Sequence, residues 1–122
     1  MRLSVTTISA VLVFALLVAV FLVMPNLPGK YDSFARCLDE KGAKMYGTFW
    51  CPHCQDQKEL FGNSKKIMPY VECSTPDGTA QTQACADAGI AKYPTWEFPG
   101  GVRATGVFTL GELSQKTGCP LE

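Results

Sequence analysis

Lys44-Met45-Tyr46-Gly47-Thr48-Phe49-Trp50-Cys51-Pro52-His53-Cys54-Gln55-Asp56-Gln57-Lys58-Glu59-Leu60-Phe61 runs from a strand-like stretch into a helix-like one across a pair of cysteines. Residues 43–50 are rich in Tyr, Thr, Phe and Trp and lack proline, which predicts a strand. Pro52 suits the first turn of a helix, where its missing N–H would have no partner anyway. The helix is expected over residues 52–61, with Gly62 as its stop.

Working outward, residues 32–41 fit a helix with Phe34, Cys37, Leu38 and Lys41 along one stripe. Residues 68–73 read as a second strand, 74–78 as a turn and 79–88 as a short helix closed by Gly89. Residues 95–98 and 102–105 predict a hairpin around Pro99-Gly100-Gly101. Thr109-Leu110-Gly111-Glu112 has capping-box spacing and opens a last helix ending at Gly118. The order α-β-α-β-α-β-β-α implies an α/β fold, a small mixed sheet flanked by helices. Tyr46 and Phe49 are expected in sheet packing, Trp96 and Phe98 in the hairpin core.

The first thirty residues differ from the rest. Between Leu3 and Gly29 no side chain is charged, and residues 10–24 are apolar throughout. A helix over residues 3–24 would be roughly 33 Å long, enough for a hydrocarbon core of about 30 Å. The expected organisation is a transmembrane anchor over 1–24, a stiff Pro-rich spacer over 25–30 and one domain over 31–122. A signal peptide is the rival reading, but no small-x-small cleavage site follows the apolar run. Both readings export the domain, to a periplasm, a lumen or the cell exterior. Arg2 weakly favours an N-inside orientation, and Lys30 on the far side dilutes that asymmetry.

From Tyr31 onward nine Lys/Arg face eleven Asp/Glu with no run of like charge, which argues against a nucleic-acid surface. Six cysteines in 122 residues point to metal binding, disulfides or redox chemistry. Cys51 falls where a strand meets a helix N-terminus, whose free N–H groups and dipole favour an anion. A thiolate is the nucleophile of disulfide exchange, and a protonated His53 would add to its stabilisation. Cys54, at i+3, is placed to close a disulfide with Cys51. On this reading Cys51 attacks a partner disulfide and Cys54 resolves the mixed disulfide. The chemistry needs no metal and no cofactor beyond the redox-active disulfide. Structural zinc would require two more ligands at finger-like spacing, and an inert disulfide would not call for Pro-His at a helix start.

Phe49-Trp50-Cys51-Pro52-His53-Cys54 resembles a thioredoxin-family active site, and its Pro-His dipeptide matches that of the periplasmic disulfide oxidase DsbA. Residues 89–95, Gly-Ile-Ala-Lys-Tyr-Pro-Thr, are similar to the family's cis-proline loop. With Pro69-Tyr70-Val71-Glu72-Cys73 and Tyr93-Pro94-Thr95-Trp96, the 44–61 block looks like the thioredoxin-like domain fused to bacterial and plant vitamin K epoxide reductase (VKOR) homologues. The resemblance spans roughly residues 34–118. It implies a thioredoxin-like fold, a cis Pro94 across from Cys51, and substrate pairing at Tyr93, Pro94 and Thr95. It gives Trp50, Pro52 and His53 the place of residues that tune the site. It also implies protein thiols and disulfides as substrates, in a relay with a quinone-linked membrane partner of the VKOR type. The sequence departs from the family in two respects. Met45 stands where thioredoxin has a buried acid, so proton handling falls to His53 or water. The quinone-reducing bundle is not in this sequence, so such a partner would be met as a separate chain, with the N-terminal helix holding both in one plane.

The resemblance further implies a Cys73–Cys85 disulfide. Cys37 and Cys119, near the two ends of the domain, are candidates for another, although Cys37 also fits a buried free thiol. With Cys51–Cys54 fixed, four cysteines allow three pairings, and sequence does not choose. The expected activity is membrane-tethered, extracytoplasmic protein thiol–disulfide exchange in the oxidative direction. A reductase or isomerase is the alternative direction, and a non-catalytic binding module the alternative class.

Overall fold

The computed structural model describes residues 4–121. Arg2 and Leu3, on which the expected orientation and helix start rest, lie outside them, as does Glu122. Helix α1 (Val5–Val23) is apolar on every side and buries no residue against the domain. Its 19 residues span roughly 28 Å. Among the described residues it is the one helix long and apolar enough to cross a membrane, and its position suits an anchor or a signal sequence alike.

Residues 25–30, expected as a spacer, touch the domain. A 3-10 turn (Met24–Asn26) follows α1, and the Lys66 ammonium donates to the Pro25 carbonyl. The Tyr31 N–H donates to Ser64 Oγ at 2.9 Å. A side chain at Gly29 would collide with Ser64.

The domain then runs α2 (Asp32–Glu40), β1 (Lys44–Gly47), α3 (Pro52–Glu59), β2 (Tyr70–Glu72), α4 (Gln83–Asp87), β3 (Thr95–Glu97), β4 (Arg103–Thr105) and α5 (Leu110–Thr117). The four strands form one sheet in the order β2-β1-β3-β4. β1 pairs parallel with β2 through the α3 crossover, and antiparallel with β3, which pairs antiparallel with β4. This is the mixed sheet expected from the element order.

Strand alternation divides the core between the two faces. Met45 and Trp96 join Phe34, Leu38, Phe61 and Leu113 in one cluster, built with α2, α3 and α5. Tyr46 belongs to the other, with Cys73, Cys85 and Ile90 beside α4. Each large apolar side chain fully buried here contributes about 1.5–3 kcal/mol. Gln57 is a fully buried polar residue. Its Oε1 accepts from Trp96 Nε1 at 3.2 Å and from the Phe108 N–H at 2.8 Å, and its Nε2 donates to the Phe108 carbonyl at 3.0 Å. One amide thereby ties α3 to β3 and to the approach to α5.

Two sequence expectations are corrected. The helix anticipated over 79–88 forms only from Gln83, because Asp77 and Gly78 build a tight hairpin first. The Thr79 N–H donates to Asp77 Oδ1 at 3.2 Å, the Gly78 N–H to the Thr75 carbonyl at 2.8 Å, and Ser74 pairs with Gln81. Phe49 is not in sheet packing. β1 stops at Gly47, and the following turn leaves the Phe49 ring exposed. The last helix is as read from the sequence. Thr109 and Glu112 form a reciprocal capping box, and Gly118 ends the helix in the left-handed conformation.

Candidate active site

Cys51 is the N-cap of α3, in extended conformation, with Pro52 as the first helical residue. Its Sγ lies 4.0 Å from the Tyr93 carbonyl oxygen. The Tyr93–Pro94 peptide bond is cis. Cys54, one turn along α3, is fully buried, whereas Cys51 retains 7% exposure. Both are free thiols; Cys37 is bonded to Cys119 and Cys73 to Cys85.

Gly47 makes room for the inner sulfur. A Cβ at this position would fall 2.8 Å from Cys54 Sγ and 3.1 Å from the ring of Tyr70. Burial pushes the Cys54 thiol up to about 12, with the neighbouring Cys51 acting the same way and Lys58 and the Thr48 backbone opposing it. Cys54 is therefore protonated at neutral pH. The two sulfurs thus differ in burial, Cys51 keeping some exposure and Cys54 held as a thiol behind it.

Glu72 fastens the loop that leads into Cys51. Its Oε1 accepts from the Phe49 N–H at 3.2 Å and the Ser74 N–H at 2.9 Å, and its Oε2 from the Tyr70 hydroxyl at 2.8 Å. Burial first, then that bond to Glu72, raises the Tyr70 phenol. Trp50 is exposed, yet its Nε1 donates to Ser74 Oγ at 3.0 Å and its ring meets Tyr93 edge-on at 6.3 Å. Beside Trp50 and Tyr93, a cleft of about 220 Å³ reaches Ser74 and Gln81.

The other expected site residues are arranged less directly. The His53 imidazole is solvent-exposed, with Nδ1 3.5 Å from the Asp56 carboxylate. Thr95 turns its hydroxyl to its own chain, donating to the Lys92 carbonyl at 2.8 Å and meeting Thr105 Oγ1 at 3.2 Å.

Sequence reasoning passed over Gly47, Lys58, Tyr70 and Glu72. Only Gly47 carried a signal, since a lone glycine inside a strand marks close approach by another group. Replacing Gly47 by alanine is expected to push the Cys54 sulfur off its seat at a cost of about 1–3 kcal/mol. Thermal unfolding of the full chain in detergent would read this as a midpoint lowered by several degrees; an unchanged midpoint would show that the sulfur moves freely.

A βαβ crossover, an added β-hairpin and a Cys-X-X-Cys helix start facing a cis-proline loop define a thioredoxin-like domain. No family model matches the chain. It is similar to the thiol-disulfide oxidoreductase LTO1 of Arabidopsis thaliana, at 46% identity over 95 residues. That match takes in 74% of this chain and 25% of the relative, so the chain spans about a quarter of the length of the protein it matches.

Proposed function

We propose that the protein is a membrane-tethered, extracytoplasmic thiol–disulfide oxidoreductase that acts on protein thiols through Cys51 and Cys54. The observation that carries this reading is the pairing of two free thiols of unequal burial, the outer one set against the Tyr93 carbonyl. The similarity to a thiol-disulfide oxidoreductase supports it.

In the oxidising direction a substrate thiolate attacks Cys51 Sγ of the Cys51–Cys54 disulfide. A substrate–Cys51 bond forms, and Cys54 leaves and takes up a proton. A second substrate thiolate then attacks the substrate sulfur of that mixed disulfide. The substrate leaves oxidised by two electrons, and Cys51 leaves as the thiolate. The edge of the Tyr93–Pro94 segment supplies backbone groups to align the substrate chain beside the attacked sulfur. A quinone-linked membrane partner of the VKOR type would accept the two electrons and regenerate the disulfide. Confinement by α1 to the partner's plane would raise the effective concentration of each for the other.

The test is covalent trapping. Full-length Cys54→Ser protein, expressed in a cell with an oxidising compartment, is expected to accumulate mixed disulfides through Cys51. These should vanish on reduction and be missing from a Cys51→Ser/Cys54→Ser chain. Equal amounts in the two chains would overturn the reading.

A further inference from the structure

Cys54 must become a thiolate whenever it attacks the mixed disulfide on Cys51, yet its side chain is fully buried. Met45, fully buried on β1, provides no carboxylate to take the proton. Among the described residues, the charged and titratable groups acting on the sulfur or on the Tyr70 ring beside it are Cys51 at the N-cap of α3, Lys58 of α3, and Tyr70 and Glu72 of β2; Gly47 and Met45 of β1 bear no charge. Glu72 is committed to the Tyr70 hydroxyl and to two backbone N–H groups. Lys58 is the single cation in this set. It lies four residues after Cys54, hence on the same face of α3. Its Nζ sits 3.5 Å from the centroid of the Tyr70 ring, the ring that also packs at Gly47 beside the Cys54 sulfur. An ammonium over an aromatic face is held there by the ring quadrupole, more firmly where water is partly excluded. Lys58 is half-buried.

We propose that Lys58, seated on the Tyr70 ring, is a positioning residue that places positive charge beside Cys54 during its attack on the mixed disulfide. In that step Cys54 gives its proton to solvent and its sulfur bonds to Cys51 Sγ. The bond from Cys51 to the substrate breaks, and the substrate sulfur leaves with the electron pair. Lys58 neither gains nor loses a proton. Its charge favours the anionic sulfur, so its removal moves the pH dependence of the step to higher pH. The Tyr70 ring serves as the seat, which makes the ring, rather than its hydroxyl, the part that matters for Lys58.

The proposal rests on the exchange reading, and one experiment separates the two. The full chain in detergent, with only Cys51 and Cys54 reduced, is mixed with dithiodipyridine, an uncharged aromatic disulfide. Attack by Cys51 releases one thiopyridone, and attack by Cys54 releases the second. The ratio of the two rates isolates the second step within each variant. In Lys58→Met the second release is expected to slow roughly threefold to tenfold relative to the first at neutral pH. The deficit should shrink as pH rises. Lys58→Arg should restore the ratio, because a guanidinium also stacks on a ring. Tyr70→Phe should stay near the unsubstituted ratio, and Tyr70→Leu should follow Lys58→Met. An unchanged ratio in Lys58→Met, or an arginine variant as slow as the methionine one, would overturn the proposal. A missing first release in the unsubstituted chain would instead sink the exchange reading itself.

Discussion

Replacing Cys51 by serine is expected to abolish oxidation of a dithiol peptide, with a loss of roughly a thousandfold or more. A hydroxyl forms no disulfide, and at neutral pH it is a poor nucleophile where a thiolate is a good one. Cys54 cannot take over. It is fully buried and its thiol is pushed up to about 12, so almost none of it is ionised at pH 7. Cys54→Ser should behave differently: without the Cys51–Cys54 disulfide it also loses peptide oxidation, but its Cys51 thiolate still enters mixed disulfides with oxidised peptide. The two variants are compared by the rate of peptide oxidation and by the mass of the protein during turnover. If Cys51→Ser kept more than a tenth of the rate, Cys51 would not be the attacked sulfur.

Removal of the Cys37–Cys119 disulfide is the largest stability change expected. This bond joins α2 to the chain just beyond α5, across a sequence separation of 82 residues. Opening a loop of that size is worth about 4 kcal/mol in the chain-entropy account, a figure that depends on the model. Cys119 is also fully buried in the main core, so Cys37→Ala/Cys119→Ala loses packing as well. For a domain of this size, that corresponds to an unfolding midpoint roughly 15–30 °C lower. The Cys73–Cys85 bridge has a separation of only 12, and its removal should cost about 3 kcal/mol. Thermal unfolding of both double variants in detergent would check the order. A larger drop for Cys73→Ala/Cys85→Ala would mean that loop size is not what sets the cost.

Features written in neighbouring residues were legible before any coordinates. Thr109 and Glu112 needed only each other and three residues of spacing to define a cap. The helix start at Cys51 needed only Pro52 after it. Where a choice depended on a distant partner, the local signal ran out. Phe49 has the look of a strand residue, but β1 stops at Gly47 and the turn into α3 leaves its ring exposed. The 79–88 stretch has helical composition, and Asp77 spends its first residues on a turn. The surroundings of Cys54 come from Tyr70 and Lys58, whose meeting is set by strand pairing between β1 and β2. Nothing beside Gln57 in the sequence announces its burial; the fold supplies the Trp96 indole and the Phe108 backbone as its partners.

The same division marks the N-terminal end. Apolar composition alone predicted a helix ending at Met24, and α1 ends at Val23. That Lys66 and Ser64 hold the following segment against the domain could not be read from Pro25 and Pro28, which describe stiffness rather than docking.

The measurement that bears most directly on the central claim is the reduction potential of Cys51–Cys54 in the full chain. The protein would be equilibrated against glutathione buffers in detergent, and its free thiols trapped and counted by mass. A reversible two-electron couple above about −200 mV is the predicted result, placing the pair among disulfide donors. A couple near −270 mV or lower would contradict the oxidising direction, and no reversible couple at all would contradict the activity.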